Sequence, residues 1–186
     1  MTDLRITTTG GTDAILEDAV VQELRANLHG PVLCPDDAGY DETRKVWNGM
    51  IDRRPALIAS CAGAADVIAV VKFARAHEAL VSVRGGGHNI PGNAVCEGGL
   101  MIDLARMRSV RVDPVRRTAR AEGGATWEDF DRETQAFGLA TTGARFLTLE
   151  LPASLWAGAS AGSAASTAFP ATTCSQPISS RRMVRC

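Results

Sequence analysis

The sequence predicts an α+β fold, a short βαβ unit followed by a small mixed sheet, and three observations predict it. Apolar residues recur at helical spacing in two stretches, residues 13–29 and 64–79. Short apolar or alternating runs stand around the second stretch, bounded by Gly, Pro and Asp as strands are. Beyond residue 100 such runs follow one another with no helical pattern between them, which marks a change from βαβ to meander-like order.

In the first stretch Ile15, Leu16, Val20, Leu24 and Leu28 mark one face, and Gly30 with Pro31 stops the pattern, so residues 13–29 are expected to form an amphipathic helix. A loop rich in Asp and Gly runs from Pro35 to Trp47. After Arg53-Arg54-Pro55, the run Ala56-Leu57-Ile58-Ala59 reads as the first strand. Val67, Val70, Val71 and Ala74 share a face of the second helix, and Leu80-Val81-Ser82-Val83 supplies the strand that completes the βαβ unit. Residues 100–104, 110–113 and 118–122 are the strands expected to build the small mixed sheet. Thr126 is placed to cap a last helix with Asp129 at the capping-box position, Trp127, Phe130 and Phe137 supply its apolar faces, and Gly138 ends it.

Composition narrows the function classes. The 186 residues, 45% hydrophobic and 22% charged, suffice for one ordinary core, so one domain or part of a larger one is expected. Twenty basic side chains nearly cancel twenty-one acidic ones, so nucleic acid is not expected as a partner. No stretch reaches membrane-spanning length, and the first six residues lack the basic flank and apolar run of a secretory signal. No membrane partner and a cytoplasmic location are the expectation. Cys34, Cys61, Cys96, Cys174 and Cys186 form no C-x-x-C pair and no regular spacing with the three histidines. They read as free thiols, with no metal site and no disulfide framework. The oligomeric state has no signal in the sequence.

The chemistry-bearing segment is Val83-Arg84-Gly85-Gly86-Gly87-His88-Asn89, directly after an expected strand. Three consecutive glycines let successive N–H groups turn toward one point, which is how a backbone builds a nest for pyrophosphate oxygens. The middle glycine is expected to need either positive φ or close approach to phosphate; the alternative is that the glycines make only a flexible turn. This is not the dinucleotide-binding fingerprint of doubly wound folds, because Ile90-Pro91-Gly92-Asn93 continues as loop where that motif opens a helix. Arg84 either adds charge for phosphate or is an ordinary exposed arginine at a strand end. His88 is a lone histidine, a class more often structural than reactive, yet a glycine loop beside a dinucleotide phosphate puts its nucleophilic imidazole within reach of a cofactor ring.

Residues 84–89, Pro91-Gly92 and Gly98-Gly99-Leu100-Met101-Ile102-Asp103-Leu104 together resemble the FAD-linked oxidases of the p-cresol methylhydroxylase and vanillyl-alcohol oxidase superfamily, within it the berberine-bridge-enzyme and 6-hydroxynicotine-oxidase group. Residues 54–59, Val112-Asp113-Pro114, residues 121–127 and 138–143 are similar too. The resemblance implies the N-terminal part of a PCMH-type FAD-binding domain over residues 47–143, preceded by a helix and lead-in over 1–46. It implies that Arg84, Gly85, Gly86, Gly87 and His88 hold the FAD pyrophosphate with Asn89 adjoining, that His88 carries the flavin covalently on its 8α-methyl carbon, and that Thr141, Thr142 and Gly143 contact the cofactor again. It further implies an oxidase that transfers hydride from a small organic substrate to flavin and then electrons to oxygen. The substrate-side base belongs to a C-terminal domain in such proteins, so no catalytic residue is assigned here.

Residues 144–186 break with what precedes them. They are Ala, Ser, Thr, Pro and Arg with scattered Leu and Trp, with neither helical nor strand period, as in a disordered tail. If each codon from Gly143 onward is read as its third base followed by the first two bases of the next, one permitted path is Gly-Thr-Val-Ser-Asp-Thr-Gly-Val-Ala-Gly-Leu-Thr-Leu-Gly-Gly-Gly-Ile-Gly-Trp-Leu. That path resembles the family's second flavin-binding stretch, and glycines at the Trp156/Ala157 and Met183/Val184 junctions are forced by the genetic code. We read a frameshift near Gly143, so 144–186 is expected to be an out-of-frame disordered tail and the truncated chain to be inactive, with FAD binding weak or absent. The competing classes are a non-catalytic nucleotide-binding fragment and a non-functional gene product. A molybdenum-hydroxylase flavin subunit is disfavoured by the Gly-His pair.

Overall fold

A computed structural model describes residues 3–141 and the backbone of one further strand, Cys174–Pro177. The chain divides into two compact units, Met1–Arg106 and Met107–Cys186.

The first unit opens with a hairpin of β1 (Leu4–Thr7) and β2 (Asp13–Leu16), antiparallel with Leu4 opposite Leu16. Helix α1 runs only from Asp18 to Asn27, so the helix expected over 13–29 begins five residues later than its apolar spacing suggested. The reason is local. Gly11 takes a positive φ of 76°, and Thr8 Oγ1 hydrogen-bonds the Thr12 carbonyl at 2.9 Å, closing a turn that sends 13–16 back along β1. There Ile15 is 70% exposed and Leu16 buried, the alternation of a strand; Val21 and Leu24 then carry the helical face.

The main sheet contains β3 (Val32–Leu33), β4 (Leu57–Ser60), β5 (Val81–Arg84) and β6 (Leu100–Asp103), in the order β3-β4-β6-β5. β4 and β5 both run parallel to β6, while β3 is antiparallel to β4. The strand at 100–104 therefore belongs between the two strands of the βαβ unit and not to the later mixed sheet. Its continuous apolar run fits a place covered on both faces: all four residues of β6, like all four of β4, are buried. Helix α2 (Tyr40–Thr43) interrupts the expected loop over 35–47, and the buried Tyr40 hydroxyl donates to the Pro55 carbonyl at 2.6 Å. Helix α3 (Ala64–Ala76) buries Asp66, Val70 and Ala74, whereas Val71, expected on its apolar face, is exposed. The Asp66 carboxylate accepts from the backbone N–H groups of His29, Gly30 and Ala62 at 2.9–3.1 Å and so joins the chain after α1 to α3.

The second unit pairs β7 (Val110–Asp113), β8 (Thr118–Ala121) and β9 (Cys174–Pro177) antiparallel, in that order. Helix α4 (Trp127–Gln135) carries the expected capping box: Asp129 N–H donates to Thr126 Oγ1 and Thr126 N–H donates to Asp129 Oδ2. Trp127, Phe130, Leu139 and three alanines form its core, but Phe137 is 51% exposed. The reading of 144–186 as a disordered tail otherwise lies outside the described residues, as do Thr142 and Gly143. Among the described residues no helix is long and apolar enough to cross a membrane.

Candidate cofactor site

The glycine loop leaves β5 at Arg84, the C-terminal end of a parallel strand, where α/β sheets place ligands. Among the described residues no backbone carbonyl accepts from the N–H groups of Gly85, Gly86 or Gly87. Three donors without main-chain partners fit an anionic oxygen cluster such as the FAD pyrophosphate. The left-handed turn falls on Gly87, with φ 77°, and not on the middle glycine. A Cβ at Gly87 would also lie 3.2 Å from Val46 Cα, so the position is restricted twice. Of the two needs foreseen for Gly86, positive φ is not met, which leaves close approach to phosphate or a plain turn.

Arg84 is neither free for phosphate nor an ordinary exposed side chain. Its guanidinium donates to Asp103 Oδ1 at 3.0 Å, to the Lys45 carbonyl at 3.0 Å and to the Thr43 carbonyl. Both ionic partners are largely buried, and Ser60 Oγ donates to the second carboxylate oxygen of Asp103 at 3.1 Å. This pair ties the ends of β4, β5 and β6 together and anchors residues 43–45 behind the loop. Its chemistry is support, since the charge meets a carboxylate before it can meet phosphate.

His88 is half-buried beside Trp47, with ring centroids 6.1 Å apart and planes at 35°. Trp47 N–H donates to the Gly87 carbonyl at 3.1 Å, and Asn48 Nδ2 donates to the Ile90 carbonyl at 2.9 Å. Asn89 closes the far side of the loop: its Oδ1 accepts from Asn93 N–H at 2.9 Å and its carbonyl accepts from Gly92 N–H at 3.0 Å. Arg84 to Asn89 thus lie together, while Thr141 belongs to the second unit.

Sequence reasoning missed two contributors, Trp47 and Asp103. Asp103 had a signal, an acid ending a wholly apolar strand, which a buried cation has to match. Trp47 had none, because its contact with His88 spans 41 residues of sequence.

The family profile described as FAD binding domain matches residues 55–177. The (R)-6-hydroxynicotine oxidase of Paenarthrobacter nicotinovorans is 40% identical over 114 residues, 61% of this chain and 25% of that protein. The FAD-linked oxidoreductase hasG of Aspergillus fumigatus is 36% identical over 109 residues, 59% of this chain and 23% of its own length. Among solved structures, 6-hydroxy-D-nicotine oxidase from Arthrobacter nicotinovorans superposes with a TM-score of 0.63 at 37% identity, over 67% of this chain and 27% of that one. A berberine-bridge-enzyme-like protein from Physcomitrella patens, at 17% identity and TM-score 0.64, shares the fold over 70% of this chain and 29% of its own. The chain spans about a quarter of the length of the curated relatives it matches.

Proposed function

The chain belongs to the FAD binding domain family, the PCMH-type fold of the vanillyl-alcohol oxidase superfamily, and from that premise we propose that its glycine loop holds the pyrophosphate of FAD with the flavin bonded to His88. One observation carries the reading: three consecutive N–H donors without carbonyl partners among the described residues stand at the end of a parallel strand, immediately before a histidine. Gly85, Gly86 and Gly87 would hold the phosphate oxygens, Arg84 secures the loop from behind, and His88 would be the point of attachment for the flavin. When bound, FAD would supply the redox chemistry, acceptance of hydride from a small organic substrate and transfer of electrons to oxygen. The whole protein is on this reading an oxidase of the cytoplasm, a compartment that suits the free thiols Cys34, Cys61 and Cys96.

The test is flavin retention through denaturation in a protein whose frame is restored after Gly143, since a covalent bond survives where hydrogen bonds do not. His88→Ala is expected to abolish it; flavin that stays with the denatured variant refutes the attachment.

A second reading, a fragment without turnover, is favoured by the change of character at 143/144. On the frameshift account the 186-residue chain lacks the second flavin stretch and is inactive. Sequencing the gene across the Gly143 codon decides this, because codons incompatible with the shifted path would make 144–186 a genuine segment.

A further inference from the structure

Residues 43–51 wrap the glycine loop, and four of their ties run through main-chain atoms on one side or both: Arg84 to the Thr43 carbonyl and to the Lys45 carbonyl, Trp47 N–H to Gly87, and Asn48 to Ile90. These ties set the place of Trp47 whatever its side chain. Trp47 is 69% exposed, so it adds little to the core. Its ring meets that of His88, at a separation inside the range where aromatic rings attract.

We propose that Trp47 is a positioning residue for His88: its indole flanks the imidazole and limits the orientations that ring can take before a flavin is attached. A nucleophile confined to few orientations reaches an electrophilic carbon more often than one that rotates freely. The use made of the positioned ring rests on His88 as the attachment residue, while the contact itself does not. The other two histidines are built differently. His77 packs against Phe73 at 4.6 Å, and the His29 side chain, 85% exposed, meets Asp66.

The experiment measures carbethoxylation of each histidine by diethyl pyrocarbonate in the 186-residue chain, read peptide by peptide in the mass spectrometer, for the parent, Trp47→Phe and Trp47→Leu. Trp47→Leu is expected to speed modification of His88 by roughly two- to tenfold. Trp47→Phe keeps a ring in place and is expected to hold His88 near the parent rate, with His29 and His77 unmoved in both variants. An unchanged His88 rate in Trp47→Leu overturns the proposal. So does an equal rise in Trp47→Phe, or a rise at all three histidines, which would mark general loosening. No flavin takes part, so these rates stand or fall independently of the His88→Ala retention test.

Discussion

At the scale of residues, the sharpest consequence lies in Arg84 and Asp103, whose side chains are 12% and 4% exposed. Removing one partner of a buried pair strands the other, at about 3–5 kcal/mol, whereas an exposed arginine would cost under about 1 kcal/mol. Arg84→Met is therefore expected to lower unfolding free energy by the larger amount in urea titration, and a loss near zero would return Arg84 to the surface. Gly87 makes a second, separable case. Alanine there takes a left-handed conformation and presses on Val46, so Gly87→Ala is expected to cost about 1–2 kcal/mol. Gly86 does not take a positive φ. Gly86→Val in the frame-restored protein is expected to lose FAD while its melting temperature holds; full occupancy would remove the pyrophosphate role.

At the scale of elements, Asp66 couples α3 to the chain leaving α1, and its carboxyl is governed by opposing influences. Burial pushes its pKa up, but backbone donors at Ala62, His29 and Gly30 and the His29 side chain outweigh this and hold it below the ordinary value. A carboxylate depressed in the fold stabilises it fully above the unfolded value, about pH 4, and that contribution is lost as pH falls through the folded value. Asp66→Asn is expected to flatten the acid limb of stability below about pH 4; an unaltered limb would show that this link is inert. Helix α4 was legible because its signal is local: Thr126 and Asp129 stand three residues apart and meet as written. The βαβ unit and the loop after it were legible for the same reason. The β1–β2 hairpin was not, since a four-residue strand beside a helix lends its apolar residues to the helical period. Nor was the insertion of β6 between β4 and β5, which depends on pairing across 40 or so residues that no local pattern records. The loop's identity could be read from Arg84 to Asn89, but its support from Trp47 and Asp103 could not.

At the scale of the whole molecule, the two halves of the flavin assignment sit on either side of Gly143, and restoring the frame is expected to yield a protein that stays yellow when denatured; a colourless product would count against both the attachment and the shifted path. The strand order has its own effect on how the loop comes into being. β5, which bears the glycine loop, meets β4 only through β6, and Arg84 finds its carboxylate on the last residue of that strand. The loop is thus synthesised before the strand that orders it, and folding of the site waits on β6. A nascent chain stalled before Asp103 would carry the complete phosphate-binding sequence without the carboxylate that Arg84 pairs with or the strand that β5 pairs with.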